Sequence, residues 1–125
     1  MPTGLLLFAH GARDPRWAEP FERLRERVAR AAPGAIVVLA YLELMDPDLA
    51  AAADRLCGDG CDSVTVVPVF LGQGGHVRND LPVLIQKAAE RHPQCRFRLA
   101  GPAGEDDTVL DALAAYCARQ MTAPD

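Results

Sequence analysis

Residues 4–11, GLLLFAHG, decide the fold. Gly4 to Ala9 form an unbroken apolar run that stops at His10-Gly11. The run is too short to cross a membrane and has no helical period. It therefore reads as a strand buried on both faces. Two longer runs share its character. Ala35 to Leu42 (AIVVLAYL) forms one, and Ser63 to Leu71 (SVTVVPVFL) the other, with Pro68 marking where sheet pairing stops. Cys95 to Ala100 (CRFRLA) reads as a short fourth strand.

Between these runs the apolar period changes from two to about 3.6. Trp17, Phe21, Leu24 and Val28 recur at helical spacing, and Pro20 falls in the first turn, where a missing N–H costs little. Asp46 is expected to cap a second helix that Pro47 opens, with Leu49, Ala53 and Leu56 as its stripe and Gly58 and Gly60 at its end. Gly72 to Asn79 reads as a glycine loop. Asp80 is expected to cap a third helix that runs to about Arg91 and closes at His92-Pro93. Glu105 to Asp107 precede a last helix marked by Leu110, Leu113 and Cys117.

Strand and helix alternate four times. Alternation of this kind implies an α/β domain with a parallel sheet and helices on both faces. The expected fold is a single doubly wound, flavodoxin-like sheet of four strands in the order 2-1-3-4. Ligands of such sheets bind beyond the carboxyl ends of the strands, where the winding reverses. Here that point lies between the first and third strands.

Composition narrows the function classes. At 125 residues and 50% hydrophobic, the chain has length for one domain with a real core and not for two. Net charge is −4, and the cluster Arg23, Arg25, Arg27 and Arg30 is interleaved with Glu22 and Glu26, as on a solvated helix face. No basic stripe suits nucleic acid. The N-terminus lacks a basic region and a long apolar run, so neither a signal peptide nor a membrane span is expected and the protein is expected to be cytoplasmic. The four cysteines, Cys57, Cys61, Cys95 and Cys117, are then expected to be reduced. Cys57 and Cys61 lack the matching second pair that a structural zinc site needs.

The switch point collects the chemistry. The first strand delivers His10, Gly11, Ala12 and Arg13; the third delivers Gly72, Gly74, Gly75 and His76; the second delivers Glu43. Imidazoles suit divalent cobalt, iron, nickel and zinc. Two imidazoles and one carboxylate leave coordination positions open, as a site that must release its metal requires. The glycines permit close approach of a flat ligand. Arg13, Arg16 and Arg78 flank the edge and suit an anionic substrate. His92 lies at a helix end away from this edge and reads as a favourable terminal cation.

On these residues the sequence resembles the short CbiX-type sirohydrochlorin chelatases, relatives of the class II chelatases. The likeness runs through residues 6–15 (LLFAHGARDP), 41–47 (YLELMDP) and 67–82 (VPVFLGQGGHVRNDLP), within a single domain covering 1–125. Ala12 departs from the serine usual in that family. The resemblance implies a lyase that inserts Co²⁺, or Fe²⁺, into sirohydrochlorin in cobalamin or siroheme biosynthesis. It implies His10 and His76 as the metal-binding pair, the metal as substrate with no prosthetic cofactor, and a homodimer. Read from their chemistry, His10, His76 or Glu43 would accept the two pyrrole protons. Arg13, Arg78, Gly72, Gly74 and Gly75 are the expected substrate-binding residues.

Three other readings use parts of the same pattern. A histidine phosphatase would carry arginine where Ala9 stands. A nucleotide-binding module would need the full G-x-G-x-x-G spacing, which Val77 breaks, or a P-loop lysine. A metal or tetrapyrrole carrier uses the same residues without turnover.

Overall fold

The apolar run of residues 4–9 lies in the central strand of the computed structural model, which describes residues 2–122 and 124. Strand β1 (Thr3–Ala9) is flanked by β2 (Ala35–Tyr41) and β3 (Ser63–Pro68), and β4 (Arg96–Leu99) lies outside β3. All pairings are parallel and the order is β2-β1-β3-β4, as expected for a doubly wound sheet. Leu6 pairs with Val38 on one side and Val66 on the other, and Phe8 with Ala40 and Pro68. Unbroken hydrophobicity follows from this position, because both pleat faces of β1 are covered.

Helix α1 (Glu19–Ala31), entered through a 3₁₀ turn at Pro15–Ala18, covers one face. Its Phe21, Leu24 and Val28, with Trp17, pack on Leu5, Leu7, Val37, Leu39 and Tyr41. Helices α2 (Leu49–Gly58) and α3 (Gly75–Arg91) cover the other face, where Leu6, Phe8, Val38, Val64 and Val66 meet Leu49, Ala53, Leu56 and Leu81. Phe8 and Leu6 are fully buried, and each contributes about 1.5–3 kcal/mol by leaving water. Helix α4 (Asp107–Gln120) follows a second 3₁₀ turn at Ala103–Glu105.

Two helix starts differ from expectation. Helix α2 is capped by Asp48, whose carboxylate accepts the Ala51 N–H at 2.9 Å, so Asp46 and Pro47 precede it. The Pro47 carbonyl instead accepts the Tyr41 N–H at 2.9 Å, which keeps that segment beside the end of β2. Helix α3 begins at Gly75, five residues before Asp80, so His76 and Arg78 lie in its first turn and not in a loop. Gly74 provides the extended entry, and its carbonyl accepts the Arg78 N–H at 3.1 Å. Pro82 lies inside α3. Strand β3 ends at Pro68 and not at Leu71, although the Val69 N–H still reaches the Phe8 carbonyl of β1.

Candidate functional site

The carboxyl end of β1 sets the geometry. After Ala9 the chain is held to the segment leaving β2: the Leu42 N–H donates to the Ala9 carbonyl at 2.9 Å and the Glu43 N–H to the His10 carbonyl at 3.1 Å. On the other side the Val69 N–H donates to the Phe8 carbonyl at 2.7 Å. His10 is therefore fixed between the two neighbouring strand exits. Gly11 follows with φ +90°, and a Cβ there would collide with the Glu43 carbonyl oxygen. Only glycine fits that crossing.

His10 is half-buried, and its ring stacks against Phe70 at 5.1 Å between centroids, tilted by 46°. His76, in the first turn of α3, is exposed, as is Glu43. All three residues lie at the carboxyl edge of the sheet that strand order predicts. Among the described residues no three histidine, cysteine or acidic side chains are gathered closely enough to hold a metal ion by themselves.

The surroundings suit a broad ligand. Cβ atoms built on Gly72, Gly74 and Gly75 would meet nothing within 4 Å, so the approach from β3 to α3 is open. Leu44 and Leu71 stand at the same edge with 59% and 63% of their surfaces exposed. Leu44 holds φ 67°, an unfavourable backbone for a leucine. Arg13 and Arg78 are exposed and in no ion pair among the described residues. Arg16 is committed elsewhere. It grips Asp14 through Nε and Nη2, the closer contact at 2.7 Å, and so fixes the 3₁₀ turn that Asp14 caps.

Sequence reasoning did not single out Phe70, Leu44 and Leu71, which the structure places at this edge. All three stand inside the quoted motifs, and Phe70 and Leu71 fall in a strand run, where an apolar residue reads as core. The signal available was position: each falls just beyond a strand end, where the core no longer needs it.

The opposite, amino-terminal end of the sheet has a different chemistry. His92 Nε2 lies 2.6 Å from Asp54 Oδ1, and Arg91 Nη2 lies 2.7 Å from Asp54 Oδ2, tying the end of α3 to α2. Cys57, Cys61, Cys95 and His92 line a cavity of ≈ 450 Å³ there. Burial first, and the adjoining Cys95 thiol second, push the Cys57 thiol up to about 12. A thiol so raised stays protonated and inert. All four cysteines are free. No helix among the described residues is long and apolar enough to cross a membrane.

Fold and edge together define an open-sheet α/β domain of the kind that takes its ligand where the winding reverses. The CbiX family model matches residues 4–120, and the chain belongs to the CbiX family. Among curated relatives, a sirohydrochlorin cobaltochelatase from Sulfolobus acidocaldarius is 29% identical over 110 residues, spanning 88% of this chain and 85% of the relative. A sirohydrochlorin ferrochelatase from Priestia megaterium is 28% identical over 109 residues, spanning 87% of this chain but 41% of that longer protein. A crystal structure of a CbiX protein from Marinobacter aquaeolei VT8 superposes with TM-score 0.86 at 34% identity, over 97% of this chain and 98% of that one.

Proposed function

We propose that this chain is a metal chelatase that inserts Co²⁺ or Fe²⁺ into sirohydrochlorin without ATP. The observation that carries the reading is that His10 directly follows β1 and His76 stands at the start of the helix that follows β3, in a chain of the CbiX family. Relatives named for cobalt and for iron are both similar to it, and the His/His/Glu set does not choose between those ions.

In this reading His10 and His76 present the incoming metal to the macrocycle. Phe70 orients the His10 ring against the metal. Exposed Leu44 and Leu71 contact the flat apolar face of the tetrapyrrole, while Arg13 and Arg78 meet its carboxylates. Two pyrrole N–H protons must leave as the metal bonds to the four ring nitrogens. Glu43, or an imidazole not holding metal at that moment, accepts them. An incomplete ligand set supports turnover, because the tetrapyrrole nitrogens must win the metal from the protein.

The protein works as a homodimer in a soluble compartment, the cytoplasm. The test is purified protein with sirohydrochlorin and each metal, followed by absorbance. Faster insertion than in the protein-free control supports the reading. Tight binding of metal and tetrapyrrole with no insertion above that control replaces it with a carrier.

A further inference from the structure

Three thiols gather at the amino end of the sheet from two distant segments. Helix α2 ends at Gly58, and Gly60, at φ +95°, turns the chain back beneath it. The Gly60 N–H donates to the Cys57 carbonyl at 3.1 Å and the Cys61 N–H to the Leu56 carbonyl at 3.1 Å, so Cys57 and Cys61 stand at one helix end. Cys95 arrives from the turn that closes α3, its N–H donating to the His92 carbonyl at 2.9 Å. The next residue ties it to the first pair, because the Arg96 N–H donates to the Asp62 carbonyl at 2.9 Å. All three cysteines line the ≈ 450 Å³ cavity, and the Cys57 thiol adjoins that of Cys95. Spacing alone leaves Cys57 and Cys61 without a partner; the fold supplies Cys95.

A buried cysteine is ordinarily a small apolar filler. These sulfurs instead border open space, and Cys57 is only half-buried. Charge at the cavity favours a cation. Arg91 and His92 on its wall are both turned to Asp54, while Asp62, on the same wall, is in no ion pair among the described residues. Thiols held protonated are poor nucleophiles and poor ligands for hard or borderline ions. A soft cation differs, because its bonds to sulfur are strong enough to displace thiol protons. No third donor closes on the pair, which suits an ion satisfied by two.

We infer that Cys57 and Cys95 bind a soft monovalent cation of the Cu⁺ class between their sulfurs, with Cys61 on the same cavity wall. Two S–H bonds break and two Cu–S bonds form. Both protons pass to solvent, and copper stays Cu⁺ throughout. Two thiolates satisfy that ion in a line, whereas Co²⁺ and Fe²⁺ ask for more donors and accept harder ones. The two ends of the sheet thus divide ions by softness: imidazole and carboxylate stand at the carboxyl end, thiolate at the amino end. The site shares no residue with the edge of His10 and His76, so it does not rest on the chelatase reading.

The experiment is anaerobic titration of the reduced protein with Cu⁺ in the presence of bicinchoninate, a coloured competitor for that ion. Wild type should draw one Cu⁺ per chain from the competitor and gain near-ultraviolet absorbance from the copper–sulfur bonds. Cys57→Ala and Cys95→Ala should each weaken uptake by about a hundredfold or more, since neighbours that merely orient a ligand already cost about 10–100-fold. Uptake should survive Cys117→Ala, which removes the exposed thiol. Wild type that draws no copper overturns the inference, as do Cys57→Ala and Cys95→Ala variants that bind like wild type. Uptake lost with Cys117→Ala or with His76→Ala places the ion elsewhere and overturns it too. Far-UV circular dichroism confirms folding. Should both alanine variants fail to fold, X-ray absorption of copper-loaded Cys117→Ala decides: two sulfur neighbours uphold the site, and nitrogen or oxygen neighbours alone overturn it. Copper is read without cobalt, iron or tetrapyrrole, so the outcome is separate from that of the chelatase assay.

Discussion

The Glu43 N–H donates to the His10 carbonyl at 3.1 Å, joining the exits of β2 and β1 just beyond the last paired residues of the sheet. A candidate metal ligand and a candidate proton acceptor thus share one backbone link. Gly11 lies against that link, where any side chain would strike the Glu43 carbonyl.

Gly11→Ala should therefore damage stability and activity together. A non-glycine residue at positive φ costs about 1–2 kcal/mol before the collision is counted. Urea denaturation should show at least that loss, and chelation should fall further than the unfolded fraction explains. An alanine variant with wild-type midpoint and rate would show that the crossing is not tight.

His10→Ala and His76→Ala should each cut metal insertion by about a hundredfold or more, the range for a group acting directly on the reacting atoms. Both side chains are at least partly exposed, so the thermal midpoint should move little. Insertion near the wild-type rate by either variant would remove that histidine from the site.

Phe70→Leu keeps an apolar side chain and removes the ring that stacks on His10. Insertion should slow at saturating substrate while sirohydrochlorin affinity holds. A change confined to affinity would make Phe70 a substrate contact and not a support for His10.

Leu44→Gly separates strain from contact. Releasing φ 67° returns about 1–2 kcal/mol, which exceeds the chain-entropy cost of about 0.5–1 kcal/mol for a new glycine. Folding stability should hold or rise slightly. Apparent affinity for sirohydrochlorin should fall by about tenfold, the loss of part of one leucine contact. Unchanged affinity would take Leu44 out of the substrate surface.

Asp54 provides a pH test at the other end of the sheet. The His92 imidazole first, and the Arg91 guanidinium second, hold its carboxyl below the usual aspartate range. A depressed folded pKa stabilises the protein above the unfolded value, about 3.9, and the contribution disappears as pH falls through the folded one. Asp54→Asn should cost less than about 1 kcal/mol at neutral pH, since the side chain is 40% exposed and screened. The gap between wild type and variant should close in acid. A gap that widens in acid would contradict the pairing.

Strand order, strand count and the edge bearing His10, Glu43 and His76 were legible because a buried parallel strand leaves a simple mark, an apolar run with a chemical residue at its end. Boundaries were less legible where two residues compete for one role. Asp46 and Asp48 are both good caps, and the choice depends on the Tyr41–Pro47 backbone bond between segments distant from the cap. The reach of α3 through Gly75 was hidden because glycine and an internal proline both argue against a helix there. The Arg16–Asp14 pair likewise depends on a turn geometry that spacing does not reveal.

Pro82 has one more effect. It has no N–H to give the Arg78 carbonyl, so the ladder of α3 is interrupted directly after the turns that carry His76 and Arg78. Those turns are joined to the remaining helix more weakly than an unbroken ladder would join them. They form the part of α3 that opens at least cost, ahead of the core-packed length that contains Leu81 and Ala88. Amide hydrogens of residues 78–81 should exchange with solvent faster than those of residues 86–90. On the proposed chelatase reading, His76 would release its metal through a local fraying event, with the sheet beneath it left undisturbed.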